Sequence, residues 1–435
     1  MKREIALKTG LIGGWSITAA VISFIFTLLV SNTLGPADYG LFVLSMSVFE
    51  LGLVFFYGIN DAGTKYIAET RLRCIAKKVA TMEIIIGIIM AAVLFFGADF
   101  IAGLLGKPIG GYLRIVAIAL AIRPGMEVLK SVYLGMKRMK LFVTVLAIND
   151  IGRLIFAAVA FALGFGVGGV LWGLVAAIFL SFIIASFGLK KNGLSPGYFE
   201  TRKLVNYSLR SFTYFIFLAI YAQITYYMVG AFLPAEEVGI FGLIFKLIVI
   251  GIGLIPAAVN TVLFPYFSEL STDEERTGKL LSASLTITTV TATFMCVVMF
   301  LLLGHFVRLL FPAYSEGLLI VPILIAGSFI NVISSTTDSL VKGRGDFRIG
   351  ITSAAAAIAV LAVSGYYMIP AYGLTGAALT WFFGSVTVNV LFLLQIRKKH
   401  DLHFDIEVIY RMVAITVGKT YGLFRRSSQT KQLKP

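Results

Sequence analysis

Residues 34–42 read LGPADYGLF, and residues 233–241, which lie 199 positions later, read LPAEEVGIF. A leucine, an acid, a glycine, an aliphatic residue and a phenylalanine coincide, and each stretch separates two long apolar runs. Working outward, YIAE at 66–69 meets YFSE at 266–269 at an offset of 200, and Gly166 and Gly169 meet Gly373 and Gly376 at an offset of 207. Each match alone is weak, because glycine turns recur by chance. Three in the same order at nearly one offset mark an internal repeat. Apolar runs bounded by breakers place six spans in the first copy, near 11–31, 41–60, 79–101, 112–133, 142–164 and 170–189. Six more fall near 207–229, 239–260, 281–303, 317–336, 350–369 and 374–396. Six is even, so both copies enter the membrane in the same direction and are related by an axis along its normal. The expected fold is all-α and polytopic transmembrane: about twelve helices in two parallel-repeat six-helix bundles around a central cleft. The bundles are 1–189 and 207–396, joined by a cytoplasmic linker at 190–206 and followed by a basic tail at 397–435. Rocking one bundle against the other alternates access to such a cleft, which makes a transporter the leading class.

The composition agrees. Of 435 residues, 58% are hydrophobic and 14% charged, against about 25% charged in soluble proteins. At about 20 residues per crossing, that apolar content fills roughly a dozen spans and leaves little outside them. A soluble enzyme is excluded, and external loops such as 32–40, 165–169 and 370–373 are too short to fold into a catalytic domain. A net charge of +15 would suggest nucleic acid in a soluble protein, but here it sorts by side. With the N-terminus inside, 29 of 37 basic residues lie in cytoplasmic segments and only Lys107 and Arg308 outside, which puts both termini in the cytoplasm. The run at 11–31 is too long for a signal peptide and is taken as the first span. The stretch from Ile406 to Phe424 is interrupted by Arg411 and Lys419 and is taken as an interfacial or cytosolic helix rather than a thirteenth span. Cys74 and Cys296 are expected as free thiols. His305, His400 and His403 are too few and scattered for a metal cluster. No GxxxxGK[ST] sequence occurs, so neither a cofactor nor ATP hydrolysis is expected. The KGRGD turn at 342–346 has no strand before it and is taken as a basic turn.

The sequence resembles the polysaccharide biosynthesis (oligosaccharide flippase) branch of the multidrug/oligosaccharidyl-lipid/polysaccharide exporter superfamily. The resemblance is carried by LIGGW at 11–15, the LGPADYGLF loop, YIAE at 66–69, the GMKR and GRGD turns at 135–138 and 343–346, and Gly166 with Gly169. It covers residues 8–396 and implies a MATE-like pair of six-helix bundles. It also implies transport of undecaprenyl- or dolichyl-linked sugars across the cytoplasmic membrane. The longer members carry thirteenth and fourteenth spans that are not evident here.

Charges inside the spans nominate a site, because each costs at least about 2.5–3.5 kcal/mol at mid-helix and persists where it faces water or a partner. Arg123, Glu127 and Lys130 form one stripe beside Pro124, and Asp150 and Arg153 are spaced i, i+3. Two readings fit these: spans 4 and 5 neutralise one another within the first bundle, or the cations bind an anion. Tyr207, Arg210, Tyr214, Phe217 and Tyr221 share a face of span 7, with Gln223 nearby. Such a stripe would stack sugar rings and grip phosphate, or else pack the core and the interface. At the repeat offset Lys246 corresponds to Ser47, one turn from Glu50, so Lys246 and Glu50 are expected to face each other across the cleft. Interior charges total six basic (Arg114, Arg123, Lys130, Arg153, Arg210, Lys246) against three acidic (Glu50, Glu127, Asp150), a surplus of three that suits pyrophosphate over organic cations.

The expected substrate-binding residues are therefore Arg210, Lys246, Arg123, Arg153, Tyr214, Tyr221 and Gln223. Glu50 and Asp150 are the candidates for coupling to H+ or Na+. The expected function is a flippase for lipid-linked oligosaccharide. The alternatives are an H+- or Na+-coupled multidrug antiporter, and a membrane scaffold whose tail recruits glycosyltransferases. Expected partners are the lipid-linked oligosaccharide, membrane lipids and glycan-assembly glycosyltransferases, with no nucleic acid.

Overall fold

A computed structural model of the chain describes residues 2–188, 194–269, 274–344 and 347–400. The tail beyond residue 400, with Ile406–Phe424, and the end of the 342–346 turn lie outside the described residues, as do the side chains of 266–269. Hydrocarbon offers no partner for a backbone N–H or C=O, so a chain this apolar satisfies its backbone within helices. The helices are α1 (Lys2–Thr70), α2 (Arg73–Leu105), α3 (Gly110–Gly135), α4 (Met139–Ala162) and α5 (Gly166–Ser186). They continue as α6 (Thr201–Phe232), α7 (Ala235–Glu269), α8 (Glu274–Leu310), α9 (Val321–Arg344) and α10 (Phe347–His400), with a 3₁₀ segment at Pro312–Ile320 before α9. Among the described residues eight segments are long and apolar enough to cross a membrane, and the chain is a multi-pass membrane protein. Among the described residues the sole pairing of extended backbone is a bridge between Leu72 and Ser195.

The two longest helices are each broken at one glycine. Gly35 has φ 72° and ψ 173°, and Gly373 has φ 55° and ψ −132°. Side chains other than hydrogen clash in these conformations. The ten continuous helices thus hold twelve segments among the described residues. The nine-residue loop expected at 32–40 and the shorter one at 370–373 are corrected to sharp breaks. Pro36 explains the first, since its fixed φ and missing N–H suit the first position of a helix.

The repeat is built into the packing. A Cβ on Gly40 would lie 1.9 Å from the carbonyl oxygen of Ala235, and one on Gly239 would lie 1.9 Å from that of Pro36. Gly40 and Gly239 are 199 apart, as are Pro36 and Ala235, so the contact is reciprocal, the signature of a two-fold relation. One turn on, a Cβ at Gly242 would meet the Val43 methyls at 3.0 and 3.1 Å, and 43 and 242 are again equivalent positions. The pseudo-axis therefore runs between the second arm of α1 and the start of α7. The other repeat glycines behave alike: Gly166 and Gly373 both have positive φ, at 50° and 55°. Added Cβ atoms on Gly169 and Gly376 would strike Ala160 and Met368, each on the segment just before its break.

The chain forms two compact units. The first contains Met1–Lys246, Gly304–Ile320 and Ile358–Trp381, and the second contains Leu247–Leu303, Val321–Ala357 and Phe382 onward. Within the first, α1 and α6 approach closely through small residues: Gly230 meets Leu44, and Gly58 meets the Ser208 carbonyl. Within the second, Gln395 accepts from Thr352 Oγ1 at 2.7 Å and donates to Ser353 Oγ at 3.2 Å. The site described below lies wholly in the first unit.

Candidate functional site

The face of α1 that carries Tyr39, Val43, Ser47 and Glu50 at three- and four-residue spacing opens onto a cavity of about 300 Å³. Arg153 from α4, Gln223 and Tyr226 from α6, and Gly242 and Lys246 from α7 complete its polar and axial walls, with Phe26, Val170 and Leu174 behind. Tyr39 and Val43 of α1 and Gly242 of α7, close in sequence to the Gly40–Gly239 contact, line the cavity. Ser47 and Lys246, equivalent positions, both line it. Tyr227 holds this part of α1 in place by donating to the Ser47 carbonyl at 2.9 Å.

Three charged side chains line the cavity: Glu50, Arg153 and Lys246. Glu50 is in the middle of its helical arm yet exposed, which in a lining residue means access to the cavity. Arg153 Nε is buried without a hydrogen-bond partner, and its guanidinium lies over the Phe26 ring at 5.1 Å, within cation–π range. No ion pair joins Arg153 to Asp150, whose carboxylate accepts a long 3.3 Å bond from Asn149 Nδ2. Two cations against one acid leave the cavity one positive charge, and an arginine with an unspent donor suits an oxyanion.

The sequence-derived site thus divides. Arg153, Lys246, Gln223 and Glu50 come together; the other nominated residues lie elsewhere. Arg123 is buried and donates to Glu127 Oε1 at 2.7 Å, while Lys130 donates to Glu127 Oε2 at 2.8 Å. Asn60 of α1 adds a bond to Glu127 Oε2 at 3.1 Å. Neutralisation is thus the outcome for this stripe, but within α3 and against α1, not between spans 4 and 5. Tyr214 is fully buried, and Tyr221 packs on Trp381 at 5.6 Å, so these two tyrosines belong to the core. Arg210 is exposed and thirteen residues before Gln223, about 20 Å along the helix. Arg114 is exposed and paired with Asp99 at 2.6 Å. The expected surplus of three shrinks to one at the cavity because these cations are paired or peripheral.

Sequence reasoning missed Glu83 and Asp61. Glu83 is completely buried in α2, with neither carboxylate oxygen hydrogen-bonded. Asp61 accepts a bond from Ser211 at 3.0 Å. The two flank the expected span ends at 79 and 60, where a charge is ordinarily read as interfacial. Because α1 stays helical to Thr70 and α2 begins at Arg73, both lie inside helices. Among the described residues no three His, Cys, Asp or Glu side chains gather as a metal site.

The sequence profile of the family described as polysaccharide biosynthesis protein matches residues 6–271. Among curated proteins, the succinoglycan biosynthesis transport protein ExoT of Rhizobium meliloti (strain 1021) is 24% identical over 287 residues. That match covers 64% of this chain and 57% of ExoT, so the alignment spans little over half of the relative's length. Among solved structures, an inward-facing multidrug resistance MATE family transporter of the MOP superfamily superposes with a TM-score of 0.72 at 14% identity. The superposition covers 88% of this chain and 94% of that one. The lipid II flippase MurJ, in an inward closed conformation, superposes with a TM-score of 0.69 at 16% identity, covering 92% and 93%. At these identities the likeness is one of fold, and it is the fold that the sequence resemblance implies.

Proposed function

This chain belongs to the polysaccharide biosynthesis protein family of membrane transporters, and we propose that it is a flippase for a lipid-linked oligosaccharide. The substrate class is a polyprenyl phosphate or pyrophosphate glycan, moved across the cytoplasmic membrane by alternating access, with both termini in the cytoplasm. One observation carries this reading: two cations, Arg153 and Lys246, face a cavity in which a single acid opposes them. In this proposal Arg153 and Lys246 hold the phosphate oxygens while Gln223 bonds the first sugar or the bridging oxygen. The prenyl tail stays in lipid. Rocking of the 1–189 and 207–396 halves then moves access from one end of the cavity to the other, and the Gly40–Gly239 contact seals the near end. The rhizobial relative, a succinoglycan biosynthesis transport protein, and MurJ, a lipid II flippase, support the same substrate class.

The test is charge removal at the cavity. Arg153→Gln and Lys246→Gln, singly and together, are expected to abolish surface polysaccharide export in a deletion strain with protein level unchanged. Each lost charge-assisted bond is worth about 1.5–3 kcal/mol, roughly a ten- to hundredfold loss of affinity. Normal export in all three variants rejects the site.

A second reading is favoured by Glu50, the acid that lines the cavity. As a carboxylate exchanging H+ or Na+, with Asp150 in reserve, it would serve a multidrug antiporter. Increased drug susceptibility of the deletion strain with intact surface glycan would select that reading.

A further inference from the structure

One side of α2 is built of exposed isoleucines, Ile84, Ile85, Ile88 and Ile89. The other side is a buried stripe at four-residue spacing, Ile75, Val79, Glu83 and Gly87. Glu83 is the one ionisable side chain in that stripe, 0% exposed, with neither carboxyl oxygen in a hydrogen bond. An acid within a span is costly to keep and marks a functional position by default.

Helix register identifies what Glu83 faces. One turn before it, Val79 shares the space in front of Gly63 of α1 with Ser131 of α3: a Cβ on Gly63 would lie 2.7 Å from Ser131 Oγ and 2.9 Å from a Val79 methyl. One turn after it, a Cβ on Gly87 would lie 2.6 Å from Pro124 of α3. Along these antiparallel helices 79 is level with 131 and 87 with 124, so Glu83 is level with Glu127. The charged groups that act on Glu83 are all on α3: Glu127 first, then Lys130 and Arg123. From α1, Asn60 reaches this level, and its amide donates to Glu127. Lys77 and Lys78, the nearest charges on α2 itself, lie five and six residues earlier, where Lys78 meets the Phe199 carbonyl and Thr201 of α6 at 2.5 and 2.7 Å.

Both cations of α3 are engaged with Glu127. An ionised Glu83 would therefore have no donor and no water, and would stand level with a second carboxylate. The neutral acid meets neither cost. Glu127 also lines a second cavity, of about 290 Å³, together with Lys130 and Ser131. The Ser131 hydroxyl, on a side chain 2% exposed, is unpartnered as well. Glu127 and Ser131 are one turn apart on α3, between Glu83 and that cavity.

We propose that Glu83 and Glu127 form a proton-binding site: the pair holds one proton, on Glu83 in this conformation, and exchanges it through the second cavity during transport. Release passes the proton from the Glu83 carboxyl to water and leaves two carboxylates to share Arg123 and Lys130. Uptake returns the proton to Glu83 and both cations to Glu127. The site is separate from Glu50 and Asp150, and it stands whichever substrate the transporter carries.

The test is infrared spectroscopy of the purified full chain in detergent near neutral pH, where a protonated carboxylic acid shows a C=O stretch that a carboxylate lacks. The difference between wild type and Glu83→Gln is expected to contain one such band, shifted in D2O and lost on alkaline titration. Glu83→Asp, which keeps a carboxyl, should displace the band rather than remove it. Glu83→Gln, a neutral isostere of the acid, should abolish transport with protein level unchanged, read as surface polysaccharide export or, where the deletion strain keeps its glycan, as drug susceptibility. A band identical in wild type and Glu83→Gln, or one that does not titrate, overturns the site. Should Glu83→Gln fail to fold, an acid band undisplaced in Glu83→Asp overturns it equally. A titrating band together with wild-type transport by Glu83→Gln overturns the role of the proton in transport.

Discussion

Replacing Gly40 or Gly239 by alanine tests both the repeat and the close packing of α1 against α7. At either position the new Cβ would lie 1.9 Å from a backbone carbonyl oxygen, with the amide nitrogen of the opposite glycine at 2.9 or 3.0 Å. Carbon–oxygen contacts begin near 3.3 Å, so α1 and α7 must separate by about 1.4 Å. The obstructing atoms are main chain on both sides, and no rotamer change relieves them. Overpacking of this kind typically costs about 1–3 kcal/mol and occasionally more. Because the contact is reciprocal, the two single variants should be destabilised alike. Separation forced by the first methyl also makes room for the second, so the double variant should cost less than the sum, with a coupling of about 0.5–3 kcal/mol. Thermal midpoints of the purified chain in detergent read the stability, and export in a deletion strain reads the consequence for closure. A wild-type midpoint in either single variant, or simple additivity in the double, would refute the reciprocal backbone contact.

Glu127→Gln should destabilise the chain by about 3–5 kcal/mol, since it leaves Arg123 and Lys130 without their counter-charge in a buried network. A triple change of Arg123, Glu127 and Lys130 to Met, Leu and Met should cost less than the single one; equal midpoints for Glu127→Gln and wild type would contradict the network. Glu237, at the head of α7 outside the expected span, has its carboxyl held above the ordinary value of 4.5 by burial first and then by the charges of Glu316 and Glu236. The folded state therefore binds the proton more tightly than the unfolded one. Its contribution to stability is full below pH 4.5 and is lost as pH rises through the raised folded-state value. The wild-type thermal midpoint should fall across that window relative to Glu237→Gln, and parallel pH profiles would exclude the effect.

The spans, the repeat and the membrane setting were legible because each rests on a period or a composition sustained over many residues. Even the two broken helices left a mark: Gly35 with Pro36, and Gly373, stand where the apolar runs pause. Nothing in the sequence says that a pause is a single-residue break rather than a loop, because glycine and proline serve both. The site was legible in part. Lys246 and Glu50 were nominated by the repeat register and Arg153 as a charge within a span, three residues from Asp150, and Lys246, Glu50 and Arg153 line the first cavity. Arg123 and Lys130 carried the same one-dimensional signal. What separates them is a carboxylate one turn away on their own helix with the right rotamer, and charge spacing shows that such a pair is available without showing that it forms. Tyr221 went to the core because Trp381, 160 positions away in the sequence, covers its face at 5.6 Å. Tyr226 lines the cavity from the next turn and a half. No periodic pattern distinguishes the two faces of an α6 that is aromatic on both.

The pseudo-axis explains why the first cavity has a polarity at all. On a strict two-fold, any charge would be matched by its copy, and a ligand on the axis would meet like charges from both sides. Here the symmetry is kept where helices touch, at Gly40 with Gly239 and Val43 with Gly242, and it is broken one turn deeper. Position 47 is serine where its counterpart 246 is lysine, and position 50 is glutamate where 249 is valine. The repeat therefore supplies a close-packed line of contact, while divergence between the copies supplies one cation and one acid to the lining of the same cavity. In the flippase we propose, an anionic headgroup in that cavity would be attracted by Lys246 and Arg153 and repelled by Glu50, and that asymmetry would orient it.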